Sequence, residues 1–102
     1  MPYAPLLSEM EIVEGLRALP EWRRQGAALT RTVACATFRD AIALVNQVAD
    51  AAEAANHHPD MQVVWRRVTF TLTTKSAGGL SARDLALAAQ IDSTIAAVLA
   101  RD

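Results

Sequence analysis

Apolar residues recur at two spacings along this chain of 102 residues, and the spacings divide it into helices and strands. Three segments carry an apolar side chain every three or four positions, as amphipathic helices do. Each segment follows a hydroxyl residue with a carboxylate three positions further on, which is typical of a capped helix start. The hydroxyls are Ser8, Thr37 and Ser81. The pattern therefore predicts helices over about residues 8–19, 37–56 and 81–100.

Between the second and third helices the apolar spacing changes to two. Val68–Thr73 alternates apolar residues with threonines, which predicts a half-buried strand. We expect residues 61–66 to form its partner strand, with Val63 and Trp65 on one face. The connection between the two strands would be a tight turn around Arg66-Arg67.

A second predicted hairpin lies between the first two helices. Residues 22–24 and 29–36 flank Gln25-Gly26, a pair that favours a hairpin turn. The predicted order is α-β-β-α-β-β-α in one domain over residues 1–102. This is an α+β fold, a four-stranded antiparallel sheet with three helices packed on one face. The uncovered threonine face and an exposed edge strand favour a homodimer or homotetramer.

Composition narrows the classes of function. The chain is 52% hydrophobic and 21% charged with a net charge of −1, and its basic residues are scattered. We therefore expect no direct nucleic-acid contact. No apolar run approaches the length of a membrane span, so we expect no membrane partner. The single cysteine, Cys35, fits a reducing compartment, and we expect a cytoplasmic protein.

The strongest candidate for chemistry is the segment Glu53–Pro59, which holds the only two histidines of the chain. Pro59 ends the predicted helix, so His57 and His58 lie at its C-terminus. Glu53 stands one turn earlier, within reach of His57, which favours proton transfer by that imidazole. The alternative is that both histidines only cap the helix. No further histidine or cysteine pair completes a zinc site, so we expect no metal.

Several spaced elements together resemble the signature of the pterin-4a-carbinolamine dehydratases. Five residues separate His57-His58-Pro59 from Trp65, and nine residues separate Trp65 from position 75. The segments at residues 37–40, 71–74 and 79–84 and around Trp22 are also similar to that family, so the resemblance covers nearly the whole chain. The elements of the signature are Glu53, His57-His58-Pro59, Trp65, position 75 and Asp84.

The resemblance implies an α+β subunit in a dimer or a dimer of dimers. It implies loss of water from a 4a-hydroxytetrahydropterin to give quinonoid dihydropterin, the step that recycles tetrahydrobiopterin after an aromatic amino acid hydroxylase. A proton must reach the departing hydroxyl while another leaves N5, and imidazoles can serve both transfers. The pterin is the substrate, and no metal or redox cofactor is expected.

Carried over by position, the resemblance assigns His57 the acid/base role and His58 chiefly the binding of the pterin. Glu53 and Asp84 would support the site. Trp22 would form one wall of the pocket. The remaining pocket lining would come from the backbone around Asn56–His58 and from Thr73, Thr74, Lys75 and Ser76.

Lys75 departs from the family, which usually has a third histidine there. A lysine normally stays protonated at neutral pH, so it donates hydrogen bonds but makes a poor base. Two functions therefore stay open. The first is a dehydratase that relies on His57, with Lys75 in the third catalytic position. The second is a weak or inactive relative that binds or assembles other proteins, as a RuBisCO assembly factor or a transcriptional coactivator does.

Overall fold

The predicted order of elements is confirmed by the structure, a computed structural model that describes residues 4–100. The fold is α+β, with three helices on one side of a four-stranded antiparallel sheet. A single 3₁₀ turn precedes the last helix. The elements are α1 (Glu9–Leu16), β1 (Arg23–Gln25), β2 (Ala28–Ala34), α2 (Phe38–Ala55), β3 (Asp60–Val64), β4 (Arg67–Leu72), the 3₁₀ turn (Lys75–Ala77) and α3 (Ala82–Leu99).

The last strand in the sequence lies inside the sheet, whose spatial order is β1-β2-β4-β3. Leu29 of β2 lies opposite Leu72 of β4, and Val63 of β3 lies opposite Val68. The apolar face of β4 is completely buried, as its alternation predicts. Helices α2 and α3 pack on each other and cover this face, which places the core between the sheet and the helices.

The opposite face of the sheet carries the predicted threonines, and none of the helices described in residues 4–100 covers it. Thr32 of β2 and Thr69 of β4 are directly opposite, and their hydroxyl oxygens are 2.8 Å apart. β3 and the three-residue β1 form the two edges of the sheet. The cross-strand hydroxyl contact satisfies polar groups on this face without burying it.

The three helix caps form at the predicted residues. Ser8 and Glu11 make reciprocal hydrogen bonds at the start of α1, and Thr37 accepts from the N–H of Asp40 at the start of α2. The Ser8 backbone N–H, and next its hydroxyl, hold the pKa of Glu11 below its ordinary value. Helix α1 ends at Leu16, three residues earlier than predicted. Across residues 4–100, no helix is long and apolar enough to cross a membrane.

Both hairpin turns differ by one position from the prediction. Gln25 still pairs with Ala28, so the first turn consists of Gly26 and Ala27. The second consists of Trp65 and Arg66, because Val64 pairs with Arg67. The prediction that Trp65 shares a strand face with Val63 is therefore wrong, because Trp65 lies in the turn. It adopts a left-handed φ of +54°, is 68% exposed and carries the Arg66 guanidinium over its ring at 4.3 Å.

Candidate functional site

The chain reverses at the end of α2 and thereby turns the first histidine toward α3. Asn56 adopts the left-handed conformation, with φ of 49° and ψ of 43°. Its N–H donates to the Glu53 carbonyl, and the N–H of His57 donates to the Ala52 carbonyl. These two bonds form a Schellman motif, which ends a helix and satisfies its last carbonyls. Asparagine tolerates the left-handed conformation better than most residues, which explains the reversal at this position.

His57 is buried against a carboxylate of α3. Its Nε2 lies 2.6 Å from Oδ1 of Asp84, with 9% of the histidine side chain and none of the aspartate side chain exposed. The two residues are 27 positions apart, so the pairing depends on the packing of the end of α2 against the start of α3. A buried carboxylate at this distance fixes the orientation of the ring and favours a proton on Nε2.

The second carboxylate oxygen of Asp84 accepts hydrogen bonds from two residues that precede it in the sequence. Oδ2 accepts from the Thr74 hydroxyl at 2.7 Å and from the Ser81 N–H at 2.9 Å. Since the single Thr74 proton goes to Asp84, the Ser81 hydroxyl donates to the Thr74 oxygen, 2.7 Å away. Thr74 and Ser81 are almost completely buried. Asp84 is thus both the N3 residue of the α3 capping box and the partner of His57.

His58 forms a different pair at the surface. Its Nε2 lies 2.6 Å from Oε2 of Glu53, and the two side chains are 56% and 76% exposed. The prediction that Glu53 orients His57 is therefore wrong. The left-handed Asn56 turns His57 away from the helix, and the next residue reaches back to Glu53 instead.

A cavity of about 300 Å³ opens beside both histidines, at the lower end of the range for small-molecule sites. It lies between the end of α2, the first residue of β3, the end of β4 and the 3₁₀ turn. Seven of the residues expected to bind the substrate line it together. These are Asn56, His57, His58, Thr73, Thr74, Lys75 and Ser76. Glu53 and Asp84 stand behind them as the partners of the two histidines.

Trp22, expected to form a wall, does not line this cavity. It is 4% exposed within the core, and its indole Nε1 donates to Oδ1 of Asp92 at 2.7 Å. Arg31 contacts the same carboxylate oxygen at 2.5 Å. The large apolar ring of Trp22 explains this position, because a tryptophan is most stable when its ring is buried and its N–H has a hydrogen-bond acceptor.

Three lining residues were missed by the sequence analysis. Asp60 begins β3, Thr71 lies opposite it in β4, and Arg83 is in the first turn of α3. The alternation of Val68–Thr73 was the signal for Thr71, since it shares a face with Thr73. Arg83 gave no signal, because an arginine next to a helix cap is ordinary. In the structure its Nη2 donates to the Asn56 carbonyl, which ties α3 to the end of α2.

A second, smaller cavity of about 200 Å³ shares His57 and Arg83 with the first among its lining residues. The rest of its lining is mostly apolar and comes from α2 and α3, namely Ala55, Ala86, Leu87 and Gln90. In the described part of the chain, no group of three or more His, Cys, Asp or Glu residues is placed to hold a metal ion.

Comparison with protein families gives a match over residues 5–94 to the model described as pterin 4 alpha carbinolamine dehydratase. A protein of Nocardia farcinica named "Putative pterin-4-alpha-carbinolamine dehydratase" is 56% identical over 87 residues, which cover 85% of this chain and 92% of that protein. A protein of Roseiflexus castenholzii with the same name is 50% identical over 92 residues, covering 90% and 99%.

Solved structures give the same relationship. The transcriptional coactivator/pterin dehydratase from Brucella melitensis superposes with a TM-score of 0.83 at 33% identity, covering 86% of this chain and 96% of that chain. A pterin dehydratase-like protein identified as a RuBisCO assembly factor in the alpha-carboxysome has a TM-score of 0.63 at 25% identity, covering 72% and 88%.

Proposed function

Because the chain belongs to the pterin-4a-carbinolamine dehydratase family, we propose that it removes water from a 4a-hydroxytetrahydropterin to give the quinonoid dihydropterin. The observation that supports this most is the buried contact of His57 with Asp84 at the wall of the cavity. A histidine held by a buried carboxylate beside a pocket is an arrangement suited to general acid/base catalysis.

We infer the roles of the two ring nitrogens of His57 from its contact with Asp84. Oδ2 of Asp84 accepts from Thr74 and Ser81, and if Asp84 is ionised Oδ1 accepts as well, which gives Nε2 the proton that it donates to Oδ1. Nδ1 is then the nitrogen that exchanges a proton with the pterin. As imidazolium it protonates the departing 4a-hydroxyl, and as neutral imidazole it accepts the proton from N5. Elimination of water thus balances without a net change in the protonation of the protein.

We assign the pterin-binding role chiefly to His58. Glu53 orients its exposed ring at the mouth of the cavity. Thr73 and Asn56 supply polar wall groups. Thr73 is fixed by a hydrogen bond of 2.6 Å from its hydroxyl to the Ala27 carbonyl. A largely fixed set of donors and acceptors orients a flat polar ring without a large cost in side-chain entropy.

A direct assay tests this proposal. The 4a-hydroxytetrahydropterin is generated in place by a hydroxylase, and its dehydration is followed with and without the protein. We expect an acceleration over the uncatalysed rate that Arg39→Gln preserves, because Arg39 lies in the first turn of α2, about 24 Å along the helix axis from the site. A rate equal to the uncatalysed one would contradict the proposal.

The second candidate is a protein-binding or assembly module, and Lys75 is the observation that favours it. Lys75 stands where the family usually has a histidine, and one structural relative is described as a RuBisCO assembly factor. Lys75→His separates the two functions. In a working dehydratase it should raise turnover of a neutral pterin several-fold, because an imidazole titrates near neutrality and a lysine does not. No gain, with no activity of the unaltered protein and no pterin binding, would favour the module.

We also propose that the chain forms a homodimer or homotetramer. The edge strand β3 offers unpaired backbone groups, and the threonine face of the sheet carries no helix. Pairing with a second copy would satisfy both. Sedimentation at micromolar concentration should give a mass of at least twice 11.0 kDa, and a monomer at every concentration would contradict the proposal.

A further inference from the structure

The cavity holds more positive than negative charge. Lys75 and Arg83 line it, and Asp60 is the only carboxylate among the lining residues that belong to the described range 4–100. Within residues 4–100, neither Lys75 nor Arg83 makes an ion pair with a carboxylate. Three other arginines each have a carboxylate within 4.0 Å, namely Arg17, Arg24 and Arg31.

Hydrogen bonds hold the side chain of Arg83 and the backbone of Lys75. Arg83 is half-buried, and one of its guanidinium nitrogens is bound to the Asn56 carbonyl. Lys75 begins the 3₁₀ turn within a loop closed at its base by backbone hydrogen bonds between Thr74 and Gly79. The Lys75 carbonyl also accepts from Gly78, whose φ of +78° suits a glycine. The loop therefore fixes the backbone that carries the ammonium group.

Two cations without ion-pair partners outnumber the one carboxylate of the lining, and an excess of positive charge at a concave surface raises the local concentration of anions. The bicyclic ring of a pterin with a neutral side chain uses hydrogen bonds and needs neither charge. The two cations are therefore suited to bind an anionic group attached to the ring rather than the ring itself.

We propose that the preferred substrate is a pterin whose side chain carries an anionic group, a carboxylate or a phosphate, held by Lys75 and Arg83. This inference rests on the proposed function, because it takes the cavity to be the pterin site. It also gives Lys75 a role that the dehydration does not supply. Lys75 binds the side chain of the substrate, while His57 transfers the protons.

Equilibrium binding of two stable pterins tests the inference without turnover. Pterin-6-carboxylate and the neutral 6-hydroxymethylpterin differ at the side chain and are titrated by their own fluorescence at low salt. We expect the carboxylate to bind about fivefold more tightly, the effect of one or two partly exposed ion pairs. The preference should shrink as salt is raised. Inorganic phosphate should compete with the carboxylate more than with the neutral pterin.

Four variants locate the effect. Lys75→Met should remove most of the preference and leave binding of 6-hydroxymethylpterin within about twofold, whereas Lys75→Arg should retain it. Asp60→Asn should increase the preference, because it removes the only carboxylate of the lining. Arg39→Met changes the net charge of the protein equally but lies at the far end of α2, and it should leave both affinities unchanged.

The outcomes separate this inference from the proposed function. Equal affinities for the two pterins, together with dehydration of a neutral substrate, would overturn the anionic side chain and leave the dehydratase. A preference for the carboxylate that depends on Lys75, without dehydration of either substrate, would leave the anion site and overturn the catalysis. Binding of neither pterin would overturn both.

Discussion

The two histidines of the site make contacts of equal length in opposite surroundings. Each Nε2 lies 2.6 Å from a carboxylate oxygen. The His57–Asp84 pair is almost completely buried, whereas more than half of each side chain in the His58–Glu53 pair is exposed. Equal distances therefore do not indicate equal importance, because water and salt screen the exposed pair and not the buried one.

The difference should be large in energy. Exposed ion pairs contribute about 0–1 kcal/mol, because solvent screening and side-chain entropy offset most of the attraction. Removing one partner of a buried pair costs about 3–5 kcal/mol, since it leaves polar groups without partners away from water. The buried pair should therefore determine both the stability and the proton chemistry, and the exposed pair should adjust binding.

The largest effect is expected from Asp84→Ala. It removes the partner of His57, the acceptor of the Thr74 hydroxyl and the N3 cap of α3 together. We expect the free energy of unfolding to fall by about 3–5 kcal/mol, with loss of turnover. Urea unfolding measures the first and the dehydration assay the second. Glu53→Ala is the matched control, and a similar loss in both variants would contradict the comparison.

A large effect on turnover, with a smaller loss of stability than in Asp84→Ala, is expected from His57→Ala. Loss of a general acid/base group lowers the rate by about 10²–10⁴-fold, while Asp84 keeps its bonds to Thr74 and Ser81 and the fold persists. His58→Ala should chiefly raise the KM for the pterin. Steady-state kinetics of both variants checks this, and turnover of His57→Ala at the original rate would eliminate its role.

An intermediate effect is expected from Thr74→Val, which keeps the shape of the side chain and removes the proton donated to Asp84. Asp84 would lose one donor and the Ser81 hydroxyl its acceptor, at a cost of about 1–3 kcal/mol. The pH profile of turnover should shift, since the carboxylate that orients His57 is altered. Thr74→Ser should restore the profile, whereas an unchanged profile in Thr74→Val would show that Thr74 does not act through Asp84.

The smallest effect is expected from Glu53→Gln. Because the His58–Glu53 pair is exposed, the free energy of unfolding should change by less than about 1 kcal/mol. Pterin affinity should fall slightly at low salt, and the difference from the unaltered protein should disappear at about 0.5 M salt. Binding titrations at both ionic strengths test this. A loss as large as that of Asp84→Ala would show that exposure does not separate the pairs.

The fold followed from local rules and part of the site did not. Capping residues and apolar spacing predicted all seven elements, because each depends on side chains close in sequence. The partner of His57 is 27 residues away, and it could not be read from the spacing of Glu53 alone. The left-handed Asn56 decided between the two histidines. Because the backbone reverses at Asn56, His58 contacts Glu53 in place of His57, which helical spacing would have put there.

The two hairpin turns also show where prediction from local sequence fails. Each was misplaced by one residue, because a two-residue loop is fixed by the register of its strands as well as by its own residues. At Trp65 the register places a bulky residue where glycine is favoured, against local preference. Trp22 was misplaced for another reason: its place in the wall of the pocket was carried over from the resemblance, whereas its ring is buried in the core with the N–H bonded to Asp92.

The strand order has a consequence for the way the chain folds as it is synthesised. β2 and β3 are not neighbours, and β4, the later element, joins them. A chain that ends before residue 67 can form the β1–β2 hairpin but cannot pair β3 with any other strand. Asp84, the partner of His57, and Thr74, which donates to Asp84, both follow β4, so they leave the ribosome after the strand at the centre of the sheet. Folding of the nascent chain is therefore delayed until the C-terminal third has emerged, because until then the apolar face of α2 lacks both β4 and α3 to pack against.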